Sequence, residues 1–485
     1  MSSSTLIYNA RLLDEKSDTP GAVLISDGKI RSVFHGYFTS AATVESFAKA
    51  TLKEDGHSEN EKISLYDAHG LTLTPAFIDM HVHLRYPGQT QKEDLNSGLH
   101  AAAAGGFGTV VAMPNTNPVV SSVETAMKIE REAAAIGLTH LFQTVSITKD
   151  FDGKDTSHLD SLEKKYIPVI SEDGKDVIDS AVMLEGMAKA GMKGIVVSCH
   201  SEDLLLSEKS KPLRKEALEI MKEVGLSAWG TDNNRTDSSE KSSNGDSEIL
   251  ENAISKIDAK LSQANKILAM SEDIATERNI TLAEQARCHV HIAHVSTKKS
   301  LDSVRRGKEL AKKTGTFEVT CEVTPHHLAL CGTKEPFIRA LVNPPLRSEE
   351  DRLALIQGLF DGTADVISTD HAPHTLEDKA NGAPGFTGEE TAFAVANSVL
   401  VKDFGMNPCL LSKLMSANPA RILGLNKGLL QTGYDADLTL IDPDEQWTVN
   451  SEVFYSKGKA TPFEGKTLTG CVKGLFIDGR LVLER

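Results

Sequence analysis

Apolar runs and helix-length segments alternate through the middle of the chain. Eight runs of strand length, rich in branched aliphatic residues, are each followed by a longer segment of mixed polarity. Such alternation is typical of βα units that build a parallel sheet. The runs lie at 76–83, 109–113, 139–147, 166–170, 194–199, 290–294, 317–323 and 364–368. They predict an α/β fold, a (β/α)8 TIM-like barrel, whose functional residues gather at the carboxyl ends of the strands.

The two ends of the chain differ from the middle in that they contain short extended runs with turns between them. Short extended runs at 6–13 and 22–30 have counterparts at 435–441 and 472–482. The dipeptides Asp27-Gly28 and Asp478-Gly479 favour tight hairpin turns between such runs. We therefore expect both ends to pack together as a small β-sandwich domain. Residues 1–72 and 427–485 would form that domain, and residues 73–426 would form the barrel.

Two polar stretches interrupt this plan. Residues 35–62 exceed what a hairpin connection needs, and residues 231–246 are a run of Ser, Asn, Asp, Thr and charged residues. The second stretch, placed around 228–250, has too little apolar surface to fold by itself. It is predicted to be a mobile surface loop, with a regulatory segment as the alternative.

Composition narrows the class of protein. The chain has 485 residues, of which 40% are hydrophobic and 25% charged, as in soluble globular proteins. Its net charge of -16 argues against a nucleic-acid binder but allows a small anionic substrate held by a few buried arginines. Six scattered cysteines without a CxxC pair exclude the common thiolate zinc modules and indicate reduced thiols. The first residues lack a signal-peptide pattern, and no apolar run could span a membrane, so we expect a cytoplasmic protein.

A histidine pair, His81 and His83, ends the first barrel run, and Arg85 follows two residues later. Residues i and i+2 of a strand project from the same face, so both imidazoles can reach one metal ion. Arg85 would lie on that face too, where it could hold an anionic substrate. The spacing alone is weak evidence, because 16 histidines in a long chain will sometimes fall into it by chance.

Other barrel runs end in ligand-type side chains as well, namely Asn115, Glu172, Asp173, His200, His294, Asp370 and His374. Each has an ordinary alternative: His200 as a core histidine, Asp173 as a turn former or helix cap, Asp370 as a turn cap. His326 and His327 are predicted to support or pack against the site. Because the strand ends of a barrel meet at one mouth, the joint occurrence favours a metal site.

The donor set indicates which metal would bind. Four imidazoles and two carboxylates suit a pair of borderline-soft divalent cations such as Zn²⁺. Three ligands for each ion and one shared carboxylate leave room for a bridging hydroxide, as in hydrolases with two metals.

The order of the motifs resembles one known family. The segments are HVHLRYPGQTQKED, AMPNTNP, SEDG, CHSED, HVST, VTPHHL, VNPPLRSEEDR, STDHAPH, GFTGEETAF and KGLLQTGYDADLTLID. They resemble the dihydroorotases of the amidohydrolase superfamily, and more narrowly the class I type, in which an aspartate bridges the metals. The resemblance covers nearly the whole chain apart from the two polar stretches.

The resemblance implies roles for residues that match the family's motifs. The implied metal ligands are His81, His83 and Asp370 for one ion, His200 and His294 for the other, and Asp173 between them. The implied substrate contacts are Arg85, Asn115, Asn343, His374 and the loop at Pro384 and Gly385. Asp370 would also carry the catalytic proton as general base and general acid.

The implied activity is the reversible cyclisation of N-carbamoyl-L-aspartate to dihydroorotate, a step of pyrimidine biosynthesis. Two divalent metal ions, zinc in the first place, would be the cofactors. The resemblance also suggests a homo-oligomer, with aspartate carbamoyltransferase as a candidate protein partner. Neither a nucleic acid nor a membrane is expected to bind.

Two alternatives stay open at this point. Hydantoinases, dihydropyrimidinases and allantoinases share the fold and the histidines. They typically use a carboxylated lysine as the bridge and lack an arginine two places after the histidine pair, so Asp173 and Arg85 argue against them. A non-catalytic homologue that only supports aspartate carbamoyltransferase would usually have lost metal ligands, and all six positions are filled here.

Overall fold

The structure is a computed structural model that describes residues 4–38, 40–54, 63–224, 244–332 and 340–485. Its strands, in chain order, are β1 (Ser4–Leu13), β2 (Asp18–Ser26), β3 (Lys29–His35), β4 (Ile63–Asp67), β5 (Thr72–Pro75), β6 (Phe77–Val82), β7 (Phe107–Ala112), β8 (His140–Gln143), β9 (Val169–Ser171), β10 (Val196–Cys199), β11 (His289–Ile292), β12 (Glu318–Val323), β13 (Val366–Ile367), β14 (Leu438–Thr448), β15 (Thr467–Ile477) and β16 (Arg480–Glu484).

Most of the helices connect the barrel strands. In chain order they are α1 (Ala41–Glu54), α2 (Leu95–Ala104), α3 (Val123–Ile136), α4 (Ser180–Lys193), α5 (Leu204–Ser207), α6 (Lys211–Glu223), α7 (Asn244–Ala286), α8 (Lys298–Thr314), α9 (Pro325–Ala329), α10 (Glu349–Asp361), α11 (Leu376–Ala380), α12 (Glu389–Ala396), α13 (Pro408–Ser412) and α14 (Asn418–Leu423). None of the helices in these ranges is both long enough and apolar enough to cross a membrane.

The predicted barrel is confirmed, and each of the eight apolar runs contains a strand. A three-stranded sheet (β6-β7-β8) and a five-stranded sheet (β9 to β13) are both parallel. Parallel bridges join them at both seams, Val145 with Ile170 and Val82 with His371. The strands are rich in apolar residues because both of their faces are covered, the inner face by barrel side chains and the outer by helices. The carboxyl ends of the strands therefore surround one mouth.

The β-rich domain built from both chain ends is also confirmed. Strands β1 to β5 and β14 to β16 form one eight-stranded sheet, in which β14 of the C-terminal part pairs with β5 of the N-terminal part. The sheet curves around a shared core, so that Val23 and Ile25 from the first part pack in one cluster with Leu438 and Phe476 from the last. The domain boundaries at 72 and 427 stay a prediction.

Both hairpin dipeptides occupy the turns expected from them. Asp27 and Gly28 have φ of 52° and 73°, and Asp478 and Gly479 have φ of 48° and 73°. Two consecutive positive φ values define the turn type that matches the twist of a β-hairpin.

The first polar stretch contains a helix that its polarity did not suggest. Helix α1 places Val44, Ala48 and Leu52 in a buried row against Leu6 and Leu24 of the sheet. The spacing of four residues puts these three side chains on one helical face, and polar residues such as Ser46 and Lys49 are exposed on the other side.

The second polar stretch is described only from Asn244 onward, and residues 225–243 lie outside the described residues. Helix α7 begins at Asn244, so the prediction of a loop at 231–246 is wrong for its last three residues. Ile257 packs against Ala217 and Met221 of α6, and these contacts extend the helix into the polar sequence.

Candidate metal centre

The six predicted ligands lie together at the carboxyl ends of the barrel strands. They are buried, with exposures from 0% for His81 to 9% for Asp370. His81 lies in β6 and His83 directly after it, and Asp173, His200, His294 and Asp370 follow β9, β10, β11 and β13. Two overlapping groups have donor atoms close enough to hold a metal ion: His81 with Asp173 and His294, and His81 with His83 and Asp370.

Asp173 lies at the centre of the cluster. Its Oδ1 is 3.2 Å from His81 Nε2, 3.2 Å from His200 Nδ1 and 3.7 Å from His294 Nε2. Its Oδ2 is 3.3 Å from His83 Nε2. The two oxygens of one carboxylate therefore face different imidazoles, an arrangement that a bridging ligand between two ions requires.

Asp370 completes the side of the cluster formed by the histidine pair. Its Oδ1 lies 3.2 Å from His83 Nε2 and 3.7 Å from His81 Nε2. On the opposite side, His200 Nδ1 and His294 Nε2 are 2.8 Å apart. The ring nitrogens of these two histidines converge on Asp173, so this pair forms a second ligand group around the same carboxylate.

The backbone turns sharply where three of the candidate residues leave their strands. Arg85, His294 and Asp370 have φ of 56°, 33° and 50°. A residue with a side chain pays about 1–3 kcal/mol for such a conformation. The surrounding packing must stabilise these turns, which direct the three side chains towards the barrel mouth.

Glu322 is a residue of the site that sequence reasoning missed. Its Oε1 accepts a hydrogen bond from His81 Nδ1 at 2.8 Å, and its Oε2 is 3.1 Å from His291 Nε2. A carboxylate on Nδ1 fixes the His81 tautomer and leaves Nε2 free to bind a metal. The available signal was an acidic residue next to the last residue of strand β12, where the strand nears the barrel mouth.

Asn115 and Asn343 contact ligands and their neighbours rather than open space. Asn115 Oδ1 accepts from His83 Nδ1 at 2.9 Å, and its amide donates to Asp173 Oδ2 at 3.4 Å. Asn343 donates to Glu202 Oε1 at 2.8 Å, and the other oxygen of Glu202 lies 3.8 Å from His200 Nε2. Both amides thus lie at the edge of the metal cluster, and Glu202, which was also missed, links one of them to His200.

The predicted anion-binding residues form a group beside the cluster. Arg85 Nη2 is 3.1 Å from His374 Nε2, and Arg85 Nε donates to the carbonyl of Pro373 at 3.2 Å. His374 Nε2 is 2.8 Å from the carbonyl of Pro384, which ties the loop at Pro384 and Gly385 to this group. Burial lowers the pKa of Arg85 to about 10, so the guanidinium stays charged at neutral pH.

A buried group of one histidine and two glutamates packs against the segment that carries Asp370. His371 is fully buried, and its Nε2 lies 3.5 Å from Glu93 and 3.7 Å from Glu389. His371 Nδ1 accepts from the backbone N–H of Gly388 at 3.2 Å. The sequence pattern did not distinguish Glu93 and Glu389 from exposed acidic residues, although Glu93 lies in the segment HVHLRYPGQTQKED.

The donor atoms fit a metal. Within the described residues, His81 Nε2 and Asp173 Oδ1 are buried and have no hydrogen-bond partner, although they face each other. Unpaired buried polar atoms are costly, and a cation between them would satisfy both. Burial would raise the pKa of Asp173, but the neighbouring imidazoles, His81 first, hold it well below its usual value. The carboxylate is therefore ionised, as a ligand must be.

Residues 72–482 match the amidohydrolase family, and the chain belongs to that family, whose members are metal-dependent. Among its relatives, the dihydroorotase of Clostridium botulinum (strain Eklund 17B / Type B) is 35% identical over 477 residues, which is 98% of each chain. The dihydroorotase of Aquifex aeolicus (strain VF5) is 33% identical over 484 residues, again 98% of each chain. The dihydroorotase of Bacillus subtilis (strain 168) is 36% identical and covers 88% of this chain and 90% of its own. The resemblance inferred from the motifs is confirmed.

Solved structures share the fold at lower identity. The L-hydantoinase (dihydropyrimidinase) from Arthrobacter aurescens superposes with a TM-score of 0.75 at 21% identity, over 99% of this chain and 96% of that one. A dihydropyrimidinase from Brevibacillus agri NCHU1002 gives a TM-score of 0.75 at 20% identity, over 99% and 95%. These structures support the barrel with its β-rich domain.

Proposed function

We propose that this chain is a dihydroorotase, which interconverts N-carbamoyl-L-aspartate and dihydroorotate. The observation that carries the proposal is the charged guanidinium of Arg85 beside the buried ligand cluster. Both compounds carry a carboxylate that takes no part in the bond change, and a guanidinium binds a carboxylate through two parallel hydrogen bonds. The relatives named dihydroorotase, at 33–36% identity over most of their length, support the same activity.

The cluster would hold two divalent cations, and we propose zinc. His81, His83 and Asp370 would bind one, His200 and His294 the other, and Asp173 would bind both. Four imidazoles and two carboxylates suit zinc better than a hard cation such as magnesium. When bound, the cations supply Lewis-acid polarisation of a carbonyl oxygen and lower the pKa of water.

Asp370 would move the proton. In the hydrolytic direction its carboxylate takes a proton from the attacking water and delivers it to the ring nitrogen that leaves. In the biosynthetic direction the same oxygen takes the proton from the carbamoyl nitrogen as that nitrogen attacks the side-chain carboxyl, and delivers it to the carboxyl hydroxyl that leaves as water. Asp370 faces the cluster and is the most exposed of the six ligands, so it can reach a substrate at the mouth.

Arg85, Asn115, Asn343 and His374 would orient the substrate. Arg85 would bind the carboxylate that stays unchanged during the reaction. His374 has a pKa lowered to about 3 by burial and by the nearby Arg85, so it is a neutral hydrogen-bonding partner at neutral pH. Pro384 and Gly385 would close the pocket through their backbone.

A substrate panel on metal-loaded protein tests the proposal. We expect cyclisation of N-carbamoyl-L-aspartate, followed by absorbance or chromatography, and no turnover of hydantoin, dihydrouracil or allantoin. These rings lack the carboxylate, so Arg85 would stay unpaired in their complexes. Turnover of only the neutral rings would refute the proposal.

Replacing Arg85 by methionine should weaken substrate binding far more than metal binding. We expect KM for N-carbamoyl-L-aspartate to rise about 10- to 100-fold, the usual cost of losing a charge-assisted pair. Metal content, measured by elemental analysis, should stay at the wild-type value because Arg85 is not a ligand. Loss of metal in this variant would instead assign Arg85 a structural role.

The assembly of the protein remains a prediction. We propose a homo-oligomer and name aspartate carbamoyltransferase as a candidate partner, in keeping with the proposed pathway. Sedimentation of the protein alone measures its oligomeric state, and sedimentation of a mixture with that enzyme measures whether the two form a complex.

A further inference from the structure

Lys379 is a fully buried lysine that the proposed reaction does not use. Its side chain has a relative exposure of 0% and lies in the short helix α11, between His374 and the loop at Pro384 and Gly385. Lysine is almost never fully buried unless it is paired. Among the described residues no carboxylate forms an ion pair with Lys379, so backbone groups must satisfy its charge.

Three carbonyl groups surround the ammonium. Nζ donates to Leu341 at 3.0 Å, to Ala383 at 3.1 Å and to Gly385 at 2.7 Å. An ammonium has three N–H donors, and each of them has an acceptor here. The Gly385 N–H also donates to the Leu341 carbonyl at 2.9 Å, which joins the two segments directly.

These carbonyls flank the predicted substrate contacts. Ala383 and Gly385 lie on either side of Pro384, whose own carbonyl is bonded to His374. Leu341 lies two residues before Asn343, in a different segment of the chain. One side chain thus connects both backbone segments that would line the substrate pocket.

We infer that Lys379 is a positioning residue for substrate binding, because its ammonium fixes segments 341–343 and 383–385 relative to each other. The inference rests on the proposed function for the identity of the substrate. It does not require Lys379 to touch the substrate. Both segments would become looser without the three charge-assisted hydrogen bonds, and the contacts from Asn343, Pro384 and Gly385 would lose their alignment.

The same geometry makes substrate binding sensitive to pH. Burial lowers the pKa of Lys379 to about 7, from the usual 10.5. A neutral amine keeps two N–H donors, so one of the three carbonyls would lose its partner as pH rises through 7. His374 is the nearby titratable group, with Arg85, Lys92, Lys379 and Asp378 acting on it, and its own pKa of about 3 keeps it neutral in this range.

The free energy of unfolding, in contrast, should increase as pH rises. Between pH 7 and 10.5 the unfolded lysine binds more protons than the folded one, so this group makes unfolding harder as pH rises. A rise in KM above pH 7 without a fall in stability is therefore the signature of positioning rather than of general loss of structure.

Lys379→Met in the full-length, metal-loaded protein tests the inference. We expect KM for N-carbamoyl-L-aspartate to rise about 10- to 100-fold, with a smaller change in kcat and unchanged metal content. The KM of the wild type should rise from about pH 6 to about pH 9, and the KM of the variant should not show this rise. Lys193→Met is a matched control, because Lys193 also donates to two carbonyls, Asp160 and Leu162, far from the mouth.

Amide hydrogen exchange provides a readout that needs no substrate. At pH 6 we expect faster exchange in 341–343 and 380–388 for Lys379→Met than for the wild type, and no such difference for Lys193→Met. Above pH 7 the wild type and Lys193→Met should both show this faster exchange, after correction for the intrinsic pH dependence of amide exchange. Unchanged exchange and unchanged KM in a folded Lys379→Met protein would overturn the inference. If that variant does not fold, the wild type alone decides. Exchange rates in 341–343 and 380–388 that do not change as pH passes 7 would then overturn the inference. Failure of the wild type to cyclise the substrate would refute the proposed function instead, while the exchange experiment would still decide the inference.

Discussion

Replacing Asp370 by asparagine is expected to lower kcat about 10²- to 10⁴-fold, the usual contribution of a general acid or base. Asparagine keeps the shape of the side chain and one oxygen, but its amide cannot take up a proton. The loss should appear in both reaction directions, because the same carboxylate would carry the proton each way. Steady-state rates of cyclisation and of hydrolysis, measured on metal-loaded protein, check this.

The Asp370→Asn variant must also be shown to be folded and to contain metal. Circular dichroism and thermal melting should match the wild type, since asparagine keeps the size and shape of the aspartate side chain. Asp365→Asn is a matched control, because Asp365 lies at the other end of the same strand and bonds to Lys308 and to the Cys321 N–H. Near-native turnover by a metal-loaded Asp370→Asn protein would remove Asp370 as the proton carrier.

The barrel could be predicted from the sequence because a parallel strand covered on both faces has a simple signature. Such a strand is a continuous apolar run, and the runs at 109–113 and 194–199 differ from the observed strands by two residues or fewer at each end. The ligands followed from the topology, since the ends of parallel strands must meet. Local spacing alone would have supported only His81 and His83.

Residues that act on the ligands could not be predicted in this way. Glu322 lies 241 positions from His81, and the pairing depends on how neighbouring strands register. Glu202 lies only two residues after His200, but its bond to Asn343 spans 141 positions of the chain. The buried pair of His371 with Glu93 depends on a contact across 278 positions of the chain, which no local pattern encodes. Helix α1 was missed because a helix that buries a narrow row of side chains, here Val44, Ala48 and Leu52, has the composition of a loop.

The loop at 375–388 illustrates how an unusual residue becomes interpretable only in three dimensions. In sequence, Lys379 is one of many charged residues in a polar segment. In the fold it is fully enclosed, and the carbonyls that surround it come from two segments. The family's motifs identify which residues would contact substrate, whereas the hydrogen bonds of Lys379 indicate what holds several of them in place.

Replacing Asp173 by asparagine should have the largest effect on the metal centre. The carboxylate contacts all four ligand imidazoles, at 3.2–3.7 Å. An amide has one donor face and no charge, so it cannot neutralise two cations held by neutral histidines. We expect the variant to bind fewer than two metal ions and activity to fall by more than about 10³-fold, since loss of a single outer partner of a ligand already costs about 10- to 100-fold.

Glu172→Gln is the matched control for this variant. Glu172 precedes Asp173 and is equally buried, but its carboxylate bonds to Thr148 and points away from the cluster. Elemental analysis and zinc titration with competing chelator should therefore show two ions in Glu172→Gln and fewer in Asp173→Asn. Asp173 is the only carboxylate among the described residues that reaches all four imidazoles. If Asp173→Asn still binds two ions tightly, the histidines and Asp370 suffice to hold them, and the bridging role of Asp173 is wrong.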